Sequence, residues 1–123
     1  MDQRQLARIL NGGRVVIGAA SIVAPGFVGQ RWFADEATGK GAYVATRAFG
    51  ARDLALGLGT IGALDAGEAA DRWLRMGVVS DAVDAVATVL ACRHIGWKRA
   101  LPVLLVASGA ALAGATFAGG VGD

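Results

Sequence analysis

Between Arg99 and Asp123 the chain runs through 23 residues, ALPVLLVASGAALAGATFAGGVG, without one charged side chain. About 20 apolar residues in a helix cover the ~30 Å hydrocarbon core of a bilayer. Inside that layer water cannot satisfy the backbone, so such a segment must bond its own amides and carbonyls as a helix. The rest of the chain shares the bias: 54% of its 123 residues are hydrophobic and 18% are charged. An average soluble domain carries about 25% charged residues, and a small one has more surface per residue to cover. The expected fold is therefore all-α, with residues 1–123 forming a single membrane domain. Disorder, a collagen-like rod and a nucleic-acid-binding tail are excluded by composition. The 12 Lys and Arg do not cluster as a nucleic-acid footprint requires, so no nucleic acid partner is expected.

Three more spans are legible, which places the four at about residues 6–26, 43–64, 73–92 and 100–120. Pro25 ends or kinks the first. Pro102 falls in the first turn of the last, where a missing amide hydrogen costs little. Trp32, Tyr43, Trp73 and Trp97 all sit at span ends. Their rings favour the headgroup level, which makes them candidate interface anchors. Three connections follow: polar Gln30–Ala42, acidic Asp65–Arg72 and basic Arg93–Arg99. The last two are short, and short connections favour antiparallel neighbours, so a four-helix transmembrane bundle running up-down-up-down is expected. The site of such a chain is the inner or plasma membrane, with lipids as its surroundings. Basic residues are too evenly divided between the two sides to fix orientation. A secretory signal peptide over residues 1–24, with Arg4 and Arg8 as its basic start, is the alternative for the first span.

The charges inside these spans are the informative feature. Arg14, the adjacent pair Arg52 and Asp53, and the pair Asp81 and Asp84 fall at one depth on three helices. Each such group costs roughly 2.5–3.5 kcal/mol at a helix centre, and five unpaired ones on the order of 15 kcal/mol. The five must face the bundle interior and pair. Helical geometry allows it. Asp81 and Asp84 lie about 60° apart, on one stripe with Gly77 and Thr88. Arg14, Gly18, Ser21 and Pro25 form a comparable stripe. On the second span Arg47, Arg52 and Asp53 point in different directions, so that helix belongs at the centre of the assembly. The expected pairs are Asp53 with Arg14, and Arg52 with Asp81 or Asp84. Two Arg against three Asp leave one carboxylate over. Arg47 is close enough to an end to snorkel toward an interface, and Arg75 lies near one end of the third span.

Small residues point to close helix packing. Gly57 and Gly59 to Gly62 thin the second span, and Gly109 with Ala113 and Gly114 with Ala118 are small-x-x-x-small pairs in the fourth. Gly57-Leu58-Gly59-Thr60-Ile61-Gly62 also matches a dinucleotide-binding pattern, with Asp81 downstream. That pattern needs a strand before it and a helix opening at it, whereas here it lies within a helical run. One cysteine, Cys92, and one histidine, His94, do not make a metal site. No Ser or Cys has a base at usable spacing, so no catalytic residue is assigned. No cofactor and no metal are expected.

Gly50-Ala51-Arg52-Asp53-Leu54-Ala55-Leu56-Gly57, with Arg72-Trp73 and Ser80-Asp81-Ala82-Val83-Asp84, resembles a family of small uncharacterised four-helix bacterial integral membrane proteins. The family shares a Gly-x-Arg-Asp-x-x-Leu-Gly signature in the second helix and an aspartate-bearing third helix. The resemblance implies the four-helix fold and a pairing of Arg52 with the third-helix aspartates, and it implies no activity.

Three functions fit the sequence. The first is a non-enzymatic structural or assembly subunit, held in register by the Arg14, Arg52, Asp53, Asp81 and Asp84 layer, with other membrane subunits or a second copy as partners. The second is a small proton-coupled carrier using Asp81 or Asp84. The third is a membrane enzyme or binder of a lipophilic molecule. A buried salt-bridge layer specifies one packing even where it adds little stability, which puts the first ahead.

Overall fold

A computed structural model describes residues 2–33 and 39–118, apart from the side chains at 32, 33, 91–95, 99, 111 and 113–118. The described residues form helices joined by short turns, with no strand among them, in the order α1 Gln3–Val23, α2 Pro25–Phe33, α3 Lys40–Asp65, α4 Asp71–Ile95 and α5 Trp97–Ala118. The all-α expectation holds.

Local chemistry sets the boundaries. Asp2 and Gln5 form a capping box that satisfies amides at the start of α1. Pro25 stops α1 because it has no amide to donate back to Ser21, and as N1 of α2 its fixed φ starts a new helix. The first span is thus shorter than the expected 6–26 at its C-terminal end. The segment from Pro25 to Phe33 is helix, so residues 30–33 are helical where the polar connection was expected to begin; the missing amide of Pro25 interrupts the ladder at one point only. Residues 34–38 of that connection, Asp35 and Glu36 among them, lie outside the described residues, and residues 40–42 already belong to α3. α3 ends in a Schellman motif: Glu68 N–H donates to Ala63 O, Gly67 N–H to Leu64 O, and Gly67 adopts φ +72°. Gly96, at φ +82°, is the single residue between α4 and α5. Because α5 begins at Trp97, Pro102 lies in its second turn and not its first, so the carbonyl of Lys98 loses its helical partner.

α1 and α3 pack antiparallel along their lengths, from Arg4 beside Leu64 to Ile22 beside Arg47. α4 and α5 form a second pair, and α3 also touches α2 and α4. The central place expected for the second span is that of α3. Buried or half-buried positions recur every three or four residues: 7, 11, 14, 18 and 21 on α1; 46, 50, 53, 57, 60 and 64 on α3; 74, 77, 81, 84 and 88 on α4, in a row that starts at Ala70 just before it. A 3.5-residue repeat keeps one seam against a neighbour along the whole helix. These seams are built mainly of Gly, Ala, Ser, Thr and Asn with charged residues near the middle of each, and Leu enters only at 64 and 74, toward one end.

The large apolar residues point outward instead. Among the described residues nineteen are exposed, including Val23 at 82%, Leu90 at 72% and Leu112 at 70%. The apolar core proper is a small cluster of Ala7, Ala63, Leu64, Ala70 and Leu74 at one end. By length and composition α1 is the one described helix apolar enough to cross a membrane; a shorter apolar stretch covers Ala100–Ala110.

Candidate functional site

At mid-height the three seams bring their charged residues together. Arg14 is the hub. Its Nη1 donates to Asp53 Oδ1 at 2.9 Å, and its Nη2 donates to Asp81 Oδ2. All three side chains are only 9% exposed. Arg52 extends the network outward: Nη1 and Nη2 both donate to Asp84, at 3.0 and 2.6 Å, and Nη2 also reaches Asp53 Oδ1 at 3.5 Å. Arg52 and Asp84 are more open, at 35% and 25%. The Arg52 guanidinium also lies over the Phe49 ring, 4.8 Å from its centroid.

The expected pairs, Asp53 with Arg14 and Arg52 with Asp84, are both present. The surplus of one carboxylate is taken up by sharing. Each guanidinium has two faces of N–H donors and spans two carboxylates, so Asp53 sits between both arginines and no aspartate of the layer is left alone. One negative charge remains in excess, spread over the network. Asp81 goes to Arg14 across α1 and α4, a contact that sequence spacing within one helix could not reveal.

Glycine makes the approach close enough. A Cβ at Gly57 would meet the Asn11 carbonyl oxygen at 2.9 Å, and one at Gly59 would run into the Trp73 ring. The expected thinning of this helix therefore serves at Gly57 and Gly59, whereas Gly62 faces open space. The Gly-x-Gly-x-x-Gly run is interior α3 helix, so the strand-then-helix context of a dinucleotide site is missing among the described residues.

Five small polar side chains bond to their own helices. Ser21 donates to Ile17 O, Thr46 to Ala42 O, Thr60 to Leu56 O, Thr88 to Asp84 O and Asn11 Nδ2 to Ala7 O, each four residues back. This back-bonding lets a hydroxyl sit on an apolar helix without water. Asn11, Thr46 and Thr60 were missed by a reading that followed charge. Their signal is a small polar residue inside an apolar run. Arg47 donates through Nε to Ile22 O at 3.1 Å, capping a carbonyl at the end of α1. Arg75 pairs with Asp71 one turn earlier on α4, with its own side chain 71% exposed. Arg8 pairs with Asp65 at 2.7 Å, and Arg4 caps Leu64 O at 3.0 Å.

The four aromatic positions differ in setting. Trp97 opens α5 and is 68% exposed. The Tyr43 ring lies against Gly26 of α2, and Trp73 packs on Gly59 and the small apolar cluster. Trp32 lies on α2, with its side chain outside the described residues, as are the side chains of Cys92, His94, Ala113, Gly114 and Ala118.

Comparison with protein-family models, with curated proteins and with solved structures finds no match to this chain.

Proposed function

We propose that this chain is a small multi-pass protein of the inner or plasma membrane, spanning it with α1, α3, α4 and α5, and that it acts as a non-enzymatic structural or assembly subunit of a membrane complex or homo-oligomer. It would then belong with the small four-helix proteins it resembles. The observation that carries this reading is the inverted distribution of side chains. Arg14 is buried and paired with both Asp53 and Asp81, which are buried too, while nineteen large apolar residues among those described face outward. In water such a surface would aggregate; in lipid it is the favourable arrangement, because no hydrophobic force drives those residues inward. The helices are long enough: α3, of 26 residues, extends about 39 Å at 1.5 Å per residue. The integration of α1 into the charged layer favours a permanent span over a removable leader.

A closed network favours a structural role over proton relay. Every carboxylate in the layer is held by a guanidinium, and such a layer fixes helix register by penalising any slip that separates the pairs.

Native mass spectrometry on tagged protein, extracted gently from its own membrane, tests the assembly. A defined complex with other chains or copies is expected; a monomer would overturn it. Cysteine substitutions at Glu68 and Lys98, probed with a membrane-impermeant maleimide after replacement of Cys92, test the spans. The two positions should label from opposite sides.

A further inference from the structure

An open groove of about 710 Å³ runs along the outside of α3 and α4, lined by Arg52, Leu56, Met76, Val79, Ser80 and Val83, with Asp71, Arg72 and Arg75 at one rim. Its walls are mostly apolar, yet two of the residues that line it each carry a buried polar atom that bonds to nothing among the described residues: Arg52 Nε and Ser80 Oγ. Ser80 is only 9% exposed. An unmet buried donor costs about 1–3 kcal/mol. Other mid-helix hydroxyls on this chain, those of Ser21, Thr46, Thr60 and Thr88, return to their own helix. Ser80 does not, and it lines the same groove as Arg52, whose Nε the aspartates leave free.

We infer that this groove binds a neutral, membrane-soluble carbonyl compound, with the carbonyl oxygen accepting from Arg52 Nε and Ser80 Oγ and the apolar body lying along Leu56, Met76, Val79 and Val83. Charge selects the class. The layer beneath already carries three carboxylates against two guanidiniums, so a carboxylate ligand would add like charge where it is least screened. Depth selects it too. Ser80 is eight residues beyond Arg72, about 12 Å along the helix. A phospholipid with its headgroup at the Arg72 and Arg75 rim holds its ester oxygens too near that headgroup to reach Ser80. A quinone or ketone without a charged head reaches it. Asp71 Oδ1, the third unmet buried atom, is at the rim and outside this deep pair.

The test uses the full chain in lipid nanodiscs and a decyl-substituted benzoquinone as probe, read by quenching of tryptophan fluorescence; Trp73 adjoins Arg72 of the groove rim. Saturable quenching is expected, with decylbenzene, which has the tail but no carbonyl, unable to displace the probe. Ser80→Ala should raise the half-saturation point about tenfold, the equivalent of ~1.4 kcal/mol. Val83→Phe, at a position 58% exposed and therefore tolerant of bulk, should raise it at least as much by filling the groove. Quenching that rises linearly with probe, that is unchanged by both substitutions, or that decylbenzene abolishes would overturn the assignment and leave the groove an ordinary lipid-facing surface.

Discussion

Gly18 and Gly50 face each other across α1 and α3, so closely that a Cβ on Gly18 would meet the Gly50 carbonyl oxygen at 2.7 Å and one on Gly50 would meet the Gly18 oxygen at 2.6 Å. The crossing lies one turn from Arg14 on α1 and one turn from Asp53 on α3. It sets the interhelix distance at which that ion pair can close.

Gly18→Ala and Gly50→Ala should each push the two helices apart. Opposed backbone cannot yield as a side-chain tip can, so the cost should be at least the ~1–3 kcal/mol of overpacking a tight core. Gly12→Ala on the same helix meets nothing within 4 Å and should stabilise by up to about 1 kcal/mol through helix propensity. Thermal unfolding in detergent, with the three variants side by side, checks the contrast.

Removing Arg14 strips Asp53 and Asp81 of their buried partner at once. Arg14→Gln should cost roughly 3–5 kcal/mol, the range for an orphaned buried charge. Asp53→Asn should cost less, because Arg14 keeps Asp81 and Arg52 keeps Asp84, while the excess negative charge is removed. Arg14→Lys should rescue poorly, since a point charge cannot span two carboxylates as a planar fork does. An Asp53→Asn variant less stable than Arg14→Gln would refute the hub.

Arg52 and Asp84 share two hydrogen bonds in a partly open site. A double-mutant cycle with Arg52→Gln and Asp84→Asn should return a coupling of about 0.5–3 kcal/mol. If Asp84 served as a proton carrier, Asp81→Asn with Asp84→Asn would abolish pH-dependent transport in proteoliposomes; the structural reading expects no such transport to begin with.

The exposed pair Arg8 and Asp65, 47% and 56% open, should contribute no more than about 1 kcal/mol and weaken with salt. Gly67 and Gly96 hold positive φ, where an alanine costs roughly 1–2 kcal/mol. Gly67→Ala should therefore destabilise more than Arg8→Ala, despite meeting no neighbour within 4 Å. Denaturation of the two variants at low and high salt separates the effects.

The sequence by itself determined the helices and the place of the charges within them. Arg14, Arg52, Asp53, Asp81 and Asp84 fall inside long apolar runs, and a charge buried among apolar residues must find a partner. Pro25 was legible as a break, though not as the start of α2, because a missing amide ends one ladder without saying whether another begins. Which charge meets which was only half legible. Asp53 with Arg14 follows from depth, but Arg14 bridging to Asp81 depends on how α1 and α4 sit around α3. The glycines divide in the same way. Gly18, Gly50, Gly57 and Gly62 look alike in the chain. Only the packing decides that the first three face a neighbour's backbone or side chain and the last faces open space. Local energetics act within a few residues and can be read along the chain; the partner of a seam, and the unmet donors of Arg52 and Ser80, exist only once three helices share one register.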